Sequence, residues 1–183
     1  VLNVTLVEPN VTDELKENTF KSLNIIRKIF YSKPNKIQKL FITKYHLCSS
    51  LYKPNYSHLR KFKGKTDFFS LDSFELVKEL DLETTTVDTS FEKKTLDFIK
   101  IDAEGSHLDI LEGSSKKLNE VLGLEIECEF FPIREKNRLY LEVIEHLKKF
   151  NFEFIDFLSI IRWERHKFRD TGQPQLADLF FLK

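Results

Sequence analysis

Leu96-Asp97-Phe98-Ile99-Lys100-Ile101-Asp102-Ala103-Glu104-Gly105, followed at once by Ser106-His107-Leu108-Asp109-Ile110-Leu111-Glu112-Gly113, decides the fold of this chain. A short apolar run ends at Asp102, turns at Gly105 and enters a segment with Leu108, Leu111 and Leu118 at helical spacing. That pattern reads as a buried parallel strand feeding a helix, with acidic side chains at the strand's carboxyl end. Ligands of open α/β sheets bind at the carboxyl ends of strands, so this edge is where a site is expected.

Upstream, Asn3 to Val7 reads as a strand ending at Glu8-Pro9-Asn10, and Thr12 or Asn10 caps a helix predicted near 12–24. Residues 25–32 and 37–43 read as strands separated by the turn signal Pro34-Asn35. An alternating strand lies within 74–87, and the helix after Gly105 is expected to run to about residue 120. Downstream, 121–130 reads as a strand and Arg138 to Phe150 as an amphipathic helix with Leu139, Val143, Ile144 and Leu147 inward. Phe152 to Leu158 and Ala177 to Leu182 read as a closing antiparallel pair. The order predicts an α/β fold: a doubly wound, mostly parallel sheet with a C-terminal antiparallel strand pair, in one domain over 1–183.

Composition excludes several classes. Lys+Arg and Asp+Glu number 29 each, so no net field favours nucleic acid or an anionic membrane. No apolar run approaches the roughly 20 residues of a membrane span. Two unpaired-looking cysteines, Cys48 and Cys128, fit a reduced, cytoplasmic setting. Three glycosylation sequons, at Asn3, Asn10 and Asn55, have no secretion signal beside them and read as chance. The chain has 18 Phe and no Met, and it opens inside a strand; a chain cut at its N-terminus is expected.

The Asp97–Gly105 and Leu108–Gly113 motifs resemble the signature of FkbM-type methyltransferases. The resemblance extends to Glu8-Pro9-Asn10, Ser49-Ser50-Leu51-Tyr52, Glu83-Thr84-Thr85-Thr86-Val87-Asp88, Glu125-Ile126-Glu127-Cys128-Glu129-Phe130, Gly172-Gln173 and Ala177-Asp178, and so covers nearly the whole chain. It implies a class I methyltransferase fold, S-adenosylmethionine as donor and O-methylation of a small hydroxylated acceptor such as a sugar or glycan precursor. Homo-oligomerisation is left open. The glycine-rich donor turn of such folds should precede Glu8 by roughly 20 residues; neither it nor the strand that carries it is in the chain. A non-catalytic, scaffold-like domain is therefore the alternative from another class. A dinucleotide-dependent oxidoreductase is disfavoured, because the acid-glycine turn is no phosphate-binding fingerprint.

Candidate site residues follow. Glu8 can accept hydrogen bonds from the donor's ribose hydroxyls, or serve only the dipole of the following helix. Asn10, beside it, is a further donor-binding candidate, as are Ser50 and Asp102. Asp102 and Glu104 stand where methyl group and acceptor should meet, and a carboxylate there can orient the acceptor or take its proton. Alternatively, Asp102 caps the following helix or bonds the Gly105 turn. His107 departs from the family pattern, which carries an acid two positions after the glycine. It can be a general base, a metal ligand together with Asp102 and Glu104, or a first-turn capping or surface group. Glu125, Glu127 and Glu129 alternate onto one face, with Glu127 expected in the crevice and the others meeting solvent or basic partners. Arg134 stands where relatives often have an aromatic residue. Ser50 can hydrogen-bond donor or acceptor, or simply form the turn. Trp163 with Arg162 reads equally as an acceptor wall or as core packing. No metal site is assigned.

Overall fold

The computed structural model describes residues 3–7, 21–63, 70–166 and 171–183. Glu8, Asn10 and most of the helix predicted near 12–24 lie outside the described residues. The strands are β1 (Asn3–Val7), β2 (Ser22–Ile26), β3 (Ile29–Phe30), β4 (Ile37–Thr43), β5 (Leu76–Thr85), β6 (Phe98–Ile101), β7 (Gly123–Glu129), β8 (Glu153–Trp163) and β9 (Gln173–Leu182). The helices are α1 (Tyr56–Leu59), α2 (Val87–Ser90), α3 (His107–Glu112), α4 (Ser115–Glu120) and α5 (Tyr140–Lys148).

The α/β class holds, but the described strands do not form one doubly wound parallel sheet. They make a two-stranded sheet, β1-β2, a three-stranded sheet, β3-β5-β4, and a four-stranded sheet, β6-β7-β9-β8. Parallel pairing joins β1 to β2, β3 to β5 and β6 to β7; β4–β5, β7–β9 and β8–β9 are antiparallel. The expectation of mostly parallel pairing is corrected for a local reason. Pro34-Asn35 reverses the chain, with Asn35 at φ +54°, so β4 returns along β5 instead of crossing over. Residues 22–24 are strand, not helix, and the segment 25–32 is split between β2 and β3. The closing antiparallel pair is present and longer than its apolar runs suggested, with β9 inserted between β7 and β8.

The main core fills the space between one face of the four-stranded sheet and the helices α3, α4 and α5. Ile101, Leu124, Ile126, Cys128, Ala177, Leu179 and Phe181 from the strands meet Leu108, Leu111, Leu118, Val143 and Leu147 from the helices. The alternation of β7 explains this: Leu124, Ile126 and Cys128 point into the core, so Glu125, Glu127 and Glu129 share the opposite face. A second cluster holds Cys48, Leu59, Phe62, Phe74, Ile133, Trp163 and Leu176. Both cysteines are free and buried, one in each cluster. Trp163 packs edge-on against Phe62 and Phe74, which is the core reading of this residue.

The single helix expected after Gly105 is two short ones broken at Gly113. A Cβ at Gly113 would stand 2.2 Å from the Tyr31 carbonyl oxygen, so the break lets the β3 segment lie against the helix end. The Glu83–Asp88 motif has a structural role at this junction. Thr86 caps α2 by accepting from the Thr89 amide at 3.0 Å, and Thr84 bonds the Lys33 carbonyl at 2.7 Å. Asp88 accepts from the Lys116 and Lys117 amides at 2.9–3.1 Å, capping α4 from outside.

Candidate active site

β6 ends at Ile101, paired with Ile126 of β7, so Asp102 leaves the strand on the same face as Lys100, Glu125 and Glu127. Directly after it the backbone turns through Glu104 (φ +49°) and Gly105 (φ +93°). A non-glycine residue held left-handed beside a strand end is stored strain of the kind found at functional sites. The turn is fixed from outside by Ser50, whose hydroxyl donates to the Glu104 carbonyl at 2.5 Å and accepts from the Tyr52 amide at 3.0 Å. Ser106 fixes it from inside, donating to the Ala103 carbonyl at 2.9 Å.

This turn and β7 bring three carboxyl groups together: oxygens of Asp102, Glu104 and Glu127 lie within 4.8 Å of one another. Such proximity disfavours three charges. Burial lifts Glu127 to about 9, reinforced by Glu104, Asp102 and Glu129. Burial lifts Glu104 to about 7 against the pull of Arg134. Asp102 is raised above the usual carboxylate range, again by burial, with Lys100 opposing. The spacing would admit a cation, but the cluster alone is no evidence for one, and we assign none.

The other two acids of β7 have cationic partners, as their alternation anticipated. Glu125 pairs with Lys100 on β6. Glu129, 1% exposed, accepts from Arg134 Nη1 at 2.7 Å, and Arg134, 2% exposed, also binds Glu104 through Nη2. Arg134 Nη2 reaches the Cys48 carbonyl at 3.4 Å as well. Arg134 thus clamps the crevice acid Glu104 to the buried acid Glu129. Gly105 makes room for the clamp: a Cβ there would lie 3.2 Å from both Arg134 Cδ and Glu129 Oε1. His107 opens α3 with no exposed surface, its Nε2 3.0 Å from the Arg138 carbonyl and its Nδ1 3.5 Å from Glu129 Oε2. It is not a member of the three-carboxyl group.

The resemblance motifs around Ser50 and Leu108–Gly113 meet in a second polar network. Tyr52 donates to Asp109 Oδ2 at 2.6 Å, while Arg138 binds Asp109 Oδ1 at 3.2 Å and Glu112 Oε1 at 2.5 Å. This ties the 44–55 loop and the approach to α5 onto α3. Burial and the Asp109 carboxylate push the Tyr52 hydroxyl far up, so it stays a proton donor. The structure therefore brings together Asp102, Glu104 and Glu127 and sets Ser50 behind the turn, while Glu8 and Asn10 fall outside the described residues. Sequence reading missed the Arg134–Glu129 pair, because Arg134 follows Pro132 in a segment with no periodicity.

With this geometry in view, comparison with known proteins gives one family. The methyltransferase FkbM domain matches residues 7–154. The chain belongs to the FkbM methyltransferase family. No curated protein and no solved structure matches it. Among the described residues, no helix is long and apolar enough to cross a membrane.

Proposed function

We infer that this protein is an S-adenosylmethionine-dependent O-methyltransferase acting on a hydroxyl of a small molecule, with a sugar or glycan precursor as the leading acceptor class. The observation that carries the reading is the meeting of Asp102, Glu104 and Glu127 at the carboxyl ends of β6 and β7, in a chain of the FkbM family. An acidic crevice fits a donor bearing a positive sulfonium and an ammonium group. When bound, the donor supplies an electrophilic methyl carbon.

The residues of this chain divide the remaining work. Glu127, with its carboxyl held up to about 9, is protonated at neutral pH and donates a hydrogen bond to an acceptor oxygen. Glu104 is engaged by Arg134 and is a weaker candidate for taking a proton. Asp102 has no such clamp and is more exposed, so it takes the proton of the acceptor hydroxyl as that oxygen becomes nucleophilic. Ser50 holds the turn that sets the Asp102–Glu104 spacing.

Calorimetry with S-adenosylmethionine, S-adenosylhomocysteine and nicotinamide cofactors tests the donor. Binding of the methionine-derived pair alone is the expected result; no binding by a protein that includes the glycine-rich strand expected upstream favours the non-catalytic scaffold reading. Asp102→Asn should abolish turnover while donor affinity stays within about 3-fold, an energy below about 1 kcal/mol. Surviving turnover would make Asp102 structural. Screening against sugars and polyketide alcohols identifies the acceptor.

A further inference from the structure

The buried side of the crevice holds a polar group that the methyl-transfer reading does not use. His107 Nε2 lies 3.0 Å from the Arg138 carbonyl oxygen. A carbonyl only accepts, so Nε2 carries a proton and the tautomer is fixed. In a neutral ring Nδ1 then presents a lone pair, and it faces Glu129 Oε2 at 3.5 Å. Among the described residues neither Nδ1 nor Oε2 has a hydrogen-bond partner, and both residues are almost entirely buried. Two lone pairs facing each other without water are unfavourable for both groups, and a single proton between them satisfies both.

The charges agree with that count. Arg134 contributes one positive charge against the two carboxylates it binds, Glu104 and Glu129. With Glu104 ionised, one additional proton makes the Arg134–Glu104–Glu129 group neutral. The charged groups acting on His107 are Glu129 on β7, Asp109 on its own helix and Arg134 from the segment before α5, while Arg138 contributes its backbone carbonyl. The imidazole's affinity for a proton is lowered on balance, chiefly by burial, with Glu129, the Arg138 carbonyl and Asp109 opposing, so the shared proton belongs to the pair and not to the ring alone.

We propose that His107 is a positioning residue for the crevice: it shares one proton with Glu129 through Nδ1 and Oε2, and that bond sets the carboxylate which aligns Arg134 on Glu104. This depends on the methyl-transfer reading only for what the crevice does, not for the proton itself. Arg134 binds one oxygen of Glu129 at 2.7 Å, and a proton shared with His107, 3.5 Å from the other oxygen, fixes its plane at both ends. Loss of the His107 contact lets the carboxylate turn, pulls Arg134 toward Glu129 and weakens its hold on Glu104.

Two NMR measurements on the full chain test this without an acceptor. With 15N-labelled histidine, His107 should show a protonated Nε2 and an Nδ1 shifted from a free lone pair toward a shared proton, unchanged between about pH 6 and pH 8. A ring that titrates freely in that window, or a bare Nε2, overturns the proposal. With 13C-labelled glutamate carboxyls, the Glu104 titration near 7 should move upward in His107→Leu, by at least about half a pH unit, and return in His107→Gln, which can still donate to Oε2. An unmoved Glu104 midpoint in a folded His107→Leu protein also overturns it. Should that variant fail to fold, the histidine spectrum of the unmodified protein decides alone. Donor calorimetry is scored separately, so failure of the methyl-transfer reading leaves the shared proton standing, and the reverse.

Discussion

Replacing Arg134 by methionine removes the guanidinium from a site where both it and Glu129 are almost wholly buried. Methionine fills much of the same volume, so the loss is chiefly electrostatic. What remains is a buried Glu129 carboxylate whose 2.7 Å partner is gone, and a Glu104 carboxyl that is 27% exposed and can turn to water. Stranding one member of a buried pair costs about 3–5 kcal/mol. Against a total stability of about 5–15 kcal/mol, that removes a large share of the fold's margin. For a chain of this length it corresponds to a fall in Tm of about 6–20 °C. Arg134→Lys should recover only part, because an ammonium lacks the guanidinium's planar fork, whose Nη1 and Nη2 reach Glu129 and Glu104 separately. The double variant Arg134→Met/Glu129→Gln should be more stable than the sum of the single losses by at least about 2 kcal/mol, since the stranded charge is then absent. Urea unfolding followed by circular dichroism, with the slope m compared across variants, gives all four corners of the cycle. A cost below about 1 kcal/mol for Arg134→Met, or additivity within about 0.5 kcal/mol, refutes the clamp.

Three further outcomes follow from the same geometry. Gly105→Ala should cost about 2–5 kcal/mol in urea unfolding, combining a left-handed φ of +93° with a new Cβ 3.2 Å from Arg134 Cδ and Glu129 Oε1; a loss under about 0.5 kcal/mol would mean the turn relaxes freely. The raised carboxyls make stability fall with rising pH. The folded chain holds protons that the unfolded chain releases near 4.5, so this contribution is complete below 4.5 and is lost through about 7 for Glu104 and about 9 for Glu127. Glu127→Gln should flatten the upper part of that decline in urea midpoints measured from pH 5 to pH 9, and an unchanged slope contradicts the assignment. Asp88→Ala should cost about 1 kcal/mol by leaving the Lys116 and Lys117 amides uncapped, with faster amide exchange confined to α4; protected α4 amides in that variant would show that another group caps the helix.

Much of this protein was legible in its sequence because period and punctuation act locally. The 37–43 strand matches β4 end for end, and the Asp97–Gly105 strand and turn appear as β6 and its left-handed exit. The alternation of Leu124, Ile126 and Cys128 with Glu125, Glu127 and Glu129 fixed two faces of β7 before any partner was known. The motifs also placed the chain in its family. Other features depend on contacts between residues distant in sequence. Whether β4 pairs parallel or antiparallel depends on how the Pro34-Asn35 turn meets β5, and where α3 stops depends on Tyr31 lying against Gly113. The same holds for the three acids of β7. Sequence put them on one face, but only packing gave Lys100 to Glu125, left Glu127 in the crevice, and buried Glu129 against Arg134 and His107. A carboxylate's chemistry is set by its solvation and its nearest charge, and both are properties of the folded chain.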